Sequence, residues 1–189
     1  MDASPDLIPA LLGVTSIHVF GAGLNAERTS HTAVPELRKR GWRVVPVHPR
    51  DAGACIDGVP IRDSPEPGTP LEVAVLFLAP ERARAQVRRL LMTPFETPPL
   101  VWFQPGAEDE IALGWLNDAG WPTVHADCIV LYSERHNLVR EPVDLPWYRQ
   151  VADEDGSQCS VWTAHEVDEH AAPPTTCLLY TSPSPRDRS

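Results

Sequence analysis

Two stretches, "EVAVLFL" (72–78) and "PLVWFQ" (99–104), are apolar at almost every position. A strand without a polar alternate has no face to give to water, so it must be covered on both sides. A third short apolar run, "SIHVF" (16–20), stands near the start, and a fourth, "WRVVPVHP" (42–49), follows it. Between these runs the period changes from strand to helix. Ala83, Val87, Leu90 and Leu91 in "PERARAQVRRLL" recur at helical spacing behind Pro80. "AEDEIALGWLNDAG" carries its acids at the start and Gly120 at the end, as a helix requires. A fifth strand in "PTVHADCIVLY" runs into a last helix over Cys128 to His136. The order β-α-β-β-α-β-α-β-α predicts an α/β fold: a Rossmann-like, doubly wound parallel sheet of about five strands with helices on both faces.

Finer placements follow from single residues. Thr32 is the expected N-cap of the first helix of this alternation, with Pro35 in its first turn, Val34 and Leu37 inward, and Gly41 at its end. Pro46 predicts an edge position for the second strand. Residues 51–71, rich in Gly, Pro and Asp, read as loop. The alternation spans 15–138, preceded by an N-terminal extension over 1–14 and followed by an acidic appendage over 139–176. In that appendage Trp147 and Tyr148 are expected to dock on the domain. The last thirteen residues, "CLLYTSPSPRDRS" (177–189), resemble the translation of a sequencing-library adapter and are set apart from the fold.

Charge excludes some functions. The net charge is −10. Eight acids and two arginines between Val139 and His170 supply −6 of it, and Lys39 is the only lysine. Nucleic-acid binding needs a basic footprint that this chain lacks. No apolar run reaches the length of a membrane span and no basic leader opens the chain, so a cytoplasmic location is expected. Cys55, Cys128, Cys159 and Cys177 form no CxxC pair and no zinc spacing, which predicts inert thiols and no metal site.

The first strand ends in "GAGLNA" (21–26), which fits G-x-G-x-x-A between a strand and a helix. Gly21 allows the turn, Gly23 lets a pyrophosphate approach, and free amides at the helix start face the anion. Arg28, Thr29 and Ser30 add donors. An NAD site wants an acid at the end of the second strand, where this chain has His48-Pro49-Arg50, and Asp51 only after the proline. Arg50 suits an extra ribose phosphate. That favours coenzyme A, with its 3′-phosphate, or NADP, with its 2′-phosphate.

Four pieces in order resemble one family: "GAGLNAERTS", "GWRVVPVHP", Val101-Trp102-Phe103-Gln104-Pro105-Gly106 and Asp127-Cys128-Ile129, with Ile56-Asp57-Gly58 between them. Together they are similar to the small stand-alone CoA-binding proteins, whose fold is like the CoA-binding domain of the succinyl-CoA synthetase alpha subunit. The chain departs from the family pattern at Gly23 (Ser), Ala26 (Pro) and His48 (Asn). The resemblance implies that Gly21, Ala22, Gly23, Asn25, Arg28 and Ser30 line the pyrophosphate. It implies that His48, Pro49 and Arg50 flank the adenosine and its phosphate. Leu78, Ala79, Gln104 and Gly106 then border the pantetheine of CoA or an acyl-CoA.

No nucleophile stands in a catalytic frame. The phosphoryl transfer of the synthetases needs further domains, for which 189 residues leave no room. His125 reads as a strand residue, and His165 and His170 as solvated. Cys128 follows an acid, which opposes a low thiol pKa. The expectation is a binding module without catalytic residues. An NADP-linked oxidoreductase or redox sensor is the alternative, and a scaffold with a vestigial pocket is a third reading.

Overall fold

The computed structural model describes residues 7–152 and 160–165. In chain order the elements are α1 (Leu7–Gly13), β1 (Ser16–Phe20), α2 (Thr29–Arg38), β2 (Arg43–Val47), β3 (Cys55–Ile56) and β4 (Val59–Pro60). Then follow β5 (Val73–Leu76), α3 (Pro80–Met92), β6 (Leu100–Phe103), α4 (Glu110–Asp118), β7 (Thr123–Val124), α5 (Ile129–Arg135), β8 (Trp147–Ala152) and β9 (Ser160–His165). Five strands form one parallel sheet in the order β2-β1-β5-β6-β7. The fold is the α/β, Rossmann-like architecture that the alternation predicts.

Strand pleating sends alternate residues to opposite faces, and each face has its own core. Ile17, Val44, Val75 and Trp102 meet Leu11 of α1, Val34 and Leu37 of α2, and Ile129 of α5. Phe20, Val45, Leu76 and Phe103 meet Ala83 and Val87 of α3, and Ala112 and Leu116 of α4. The apolar runs are therefore buried on both sides.

Pro46 sits on an edge strand, as expected. Arg43 donates its backbone N–H to Thr15 on the β1 side, whereas Pro46 O accepts from Arg62 N on the outer side, at 2.8 Å. The missing N–H of Pro46 thus faces outward and removes no bond from the sheet.

Three local expectations change. Helix α2 starts at Thr29 with Arg28 as N-cap, so Thr32 lies inside it and donates its hydroxyl to Thr29 O at 3.2 Å. The early start comes from Asn25. Its Oδ1 accepts Glu27 N at 3.0 Å and its carbonyl accepts Arg28 N at 3.1 Å, which turns the chain into the helix before Thr32. Pro35 is then well within the helix. In the stretch 51–71, expected as loop, Ile56 pairs with Val59 across Asp57-Gly58, both at positive φ. Cys55 is disulfide-bonded and not a thiol.

Trp147 and Tyr148 dock on the domain. The Arg43 guanidinium lies over the Trp147 ring, 3.1 Å from its centroid, and donates to Pro146 O at 3.1 Å. Arg62 donates to Tyr148 O. Glu66 joins both arginines, at 2.7 Å from Arg43 and 2.5 Å from Arg62, and all three are buried. Met1–Asp6, the acids at 153–155, Cys159, the stretch from Glu166 to His170 and the adapter-like tail lie outside the described residues.

Candidate functional site: a cleft at the sheet's switch point

The chain leaves β1 for β2 on one side and returns to β5 on the other, so the strand order reverses between β1 and β5. In open parallel sheets this crevice, at the carboxyl ends of the strands, is where ligands sit. A cleft of about 470 Å³ opens there. Its walls come from three segments that follow β1, β5 and β6: Glu27 to Ser30, Phe77 to Ala79, and Gln104 to Ala107.

Six of the expected residues meet in this cleft: Arg28, Ser30, Leu78, Ala79, Gln104 and Gly106. Arg28 is exposed at the rim, and Ser30 is buried in the first turn of α2. No side chain caps the start of α2 or of α3. The uncapped first turn of α2 presents backbone donors and the positive end of its dipole beside Arg28. Gln104 is 4% exposed and its Nε2 has no partner.

The other seven lie apart from the cleft walls. Gly21 has φ +93°, and a Cβ there would overlap Phe77 O at the end of β5. Its N–H donates to Val47 O at 2.8 Å. Gly21 therefore lets the loop cross between two neighbouring strand ends. Ala22 is fully buried in the core. Gly23 packs against His48, and Asn25 is spent on the turn into α2. Pro49 and Arg50 are exposed.

The sequence reading missed Asp51 as part of this loop. Its Oδ2 accepts Leu24 N at 2.8 Å and lies 3.2 Å from His48 Nδ1. The signal was present as an acid shortly after the second strand, but Pro49 concealed that the chain folds back onto Gly23.

Two motif pieces turn out to hold one another. Trp102 Nε1 donates to Asp127 O at 2.8 Å, across 25 residues of chain. Asp127 Oδ1 accepts Cys128 N at 2.8 Å, and Oδ2 pairs with Arg135 at 2.5 Å. Trp102 and Asp127 thus anchor α5 to β6. Cys128 is a free, partly buried thiol at that anchor. Asp109 caps α4 by accepting Ala112 N at 2.9 Å, a bond that together with Arg84 holds its carboxyl below the usual carboxylate range. Among the described residues no group of three or more His, Cys, Asp or Glu is placed to hold a metal ion. No described helix is long and apolar enough to cross a membrane.

A family model described as a CoA binding domain matches residues 15–134. The chain belongs to the CoA-binding domain family. Its matched region covers the whole five-stranded sheet and every residue of the cleft. Solved structures share this fold. A protein from Thermus thermophilus is 28% identical, with a TM-score of 0.59 over 71% of this chain and 98% of that one. A conserved hypothetical protein from Pyrococcus furiosus is 26% identical, with a TM-score of 0.56 over 63% of this chain and 99% of that one. A hypothetical protein from Pyrococcus horikoshii is 25% identical, with a TM-score of 0.59 over 68% of this chain and 88% of that one. No curated protein matches the chain. The CoA-binding domain therefore accounts for the sheet, the switch point and the order of the motifs.

Proposed function

We propose that the protein is a non-catalytic module that binds coenzyme A or an acyl-CoA in the switch-point cleft. One observation carries the reading. The cleft brings the uncapped start of α2, with Arg28 and Ser30, together with the strand ends at Leu78, Ala79, Gln104 and Gly106. An anion is stabilised at such a helix start, so the pyrophosphate belongs at Arg28 to Ser30. The rest of the cleft is lined by Phe77, Leu78, Ala79, Pro105 and Ala107, a surface suited to a pantetheine arm. Arg50 is exposed after β2 and is the side chain suited to a ribose phosphate. Family membership supports CoA over NADP.

Isothermal titration with CoA, acetyl-CoA and NADPH tests this reading. Saturable CoA binding is the expected result, with Arg28→Ala weakening it by about tenfold, the worth of one charge-assisted hydrogen bond. CoA at 100 times its dissociation constant will stabilise the fold by about 2.7 kcal/mol. Silence at millimolar CoA overturns the reading, and NADPH binding in its place supports the dinucleotide alternative.

A further inference from the structure

Gly23 is crowded on its side-chain face. A Cβ on Gly23 would overlap Asp51 Oδ2 and lie 3.2 Å from the His48 ring. The same carboxylate oxygen accepts Leu24 N at 2.8 Å and lies 3.2 Å from His48 Nδ1. On its carbonyl side, Gly23 O lies 2.9 Å from His31 Nδ1. Asp51 and His48 are each about three-quarters buried. The space beside residue 23 is thus filled by an acid from the segment after β2, which also accepts the next backbone N–H.

We propose that Asp51 is the positioning residue of the glycine loop: its carboxylate braces the loop through Leu24 N–H and requires glycine at position 23. The brace has a consequence for ligand choice, which rests on the CoA reading. A dinucleotide without a ribose phosphate uses a free acid near the end of the second strand and free amides in the loop. Here Asp51 and the Leu24 amide engage each other. The loop keeps its shape without a ligand, and the anion is left to Arg28 and the first turn of α2.

The test compares Asp51→Asn, which keeps the shape and one acceptor oxygen, with Asp51→Ala, which keeps neither. Amide exchange at Leu24, measured by NMR on the full chain without ligand, will quicken about tenfold in Asp51→Ala and stay near wild type in Asp51→Asn. Thermal denaturation will show coupling between the two positions. Gly23→Ala lowers the melting temperature in the wild type and has a much smaller effect beside Asp51→Gly. CoA affinity will fall about tenfold in Asp51→Ala, as the loop loses the contact that orders it, and will be kept in Asp51→Asn. Unchanged exchange at Leu24 in Asp51→Ala overturns the brace, as do additive effects at 23 and 51. Tighter CoA binding by Asp51→Ala also overturns it, because the carboxylate would then merely repel phosphate. Faster Leu24 exchange in a protein whose wild type ignores CoA supports the brace and overturns the ligand reading alone.

Discussion

His18 occupies the middle of β1 between Val45 and Ala74, fully buried, with neither ring nitrogen hydrogen-bonded. Burial lowers its pKa from 6.5 to about 4, with Glu66 opposing and Arg43 assisting. The unfolded chain takes up a proton near pH 6.5 and the folded chain does not, so stability falls as pH drops from about 6.5 towards 4. The loss approaches about 3 kcal/mol at the lower end. Urea denaturation across pH 4.5 to 7.5 will show this slope, and His18→Leu will flatten it. The same variant will be more stable at neutral pH by about 1–2 kcal/mol, because two buried polar atoms without partners are gone. A histidine inside an apolar run reads in sequence only as a strand residue, and its electrostatic cost comes chiefly from a depth of burial that only the packed sheet shows. Asp51 was harder still to read. Its partner Leu24 is 27 residues away, and only the return of the chain after Pro49 brings the two together.

At the level of elements, strands were legible where every residue was apolar, because only double-sided burial tolerates that composition. Helix ends were less so. Thr32 has the right chemistry for a cap, but Asn25 supplies the turn earlier, and local competition between two capping residues is settled by geometry. The β3–β4 pair was missed although Asp57-Gly58 is a strong hairpin turn, since two-residue strands leave no period to detect. Helix α5 is short, and its place depends on the bond from Trp102 to Asp127. Trp102→Phe keeps the aromatic packing and removes the donor. It is expected to cost about 1–2 kcal/mol in equilibrium unfolding and to speed amide exchange within Ile129–Arg135 more than within α3. Equal acceleration in both helices would show that the bond does not single out α5.

Across the whole molecule, the alternation of strands and helices announced a parallel sheet but not the order β2-β1-β5-β6-β7, because burial patterns do not say which strands are neighbours. The pairing of the strands in the folded chain shows that order, whereas the resemblance in four spaced motifs pointed only to the cleft's three loops. The buried Arg43–Glu66–Arg62 group was illegible, since one arginine belongs to a strand and the other two residues to a stretch that looked like solvated loop. This group ties the sheet edge to the segment at Pro146 to Tyr148. Burial alone raises the Glu66 pKa, but the two arginines more than offset it and hold the group ionised. Glu66→Gln leaves two buried cations underpaired, at a cost of about 3–5 kcal/mol. Limited proteolysis will then cut near Trp147 before the domain core is attacked. Both borders of the sheet also bear on how copies of the protein behave together. The outer side of β2 carries Pro46, which has no N–H to give, and its neighbours are already bridged to Arg62. The opposite border, β7, is only two residues long. A fibril grows by adding strands to an open ladder of backbone donors and acceptors. Neither border offers a long one, so the folded sheet gives amyloid-like growth no template.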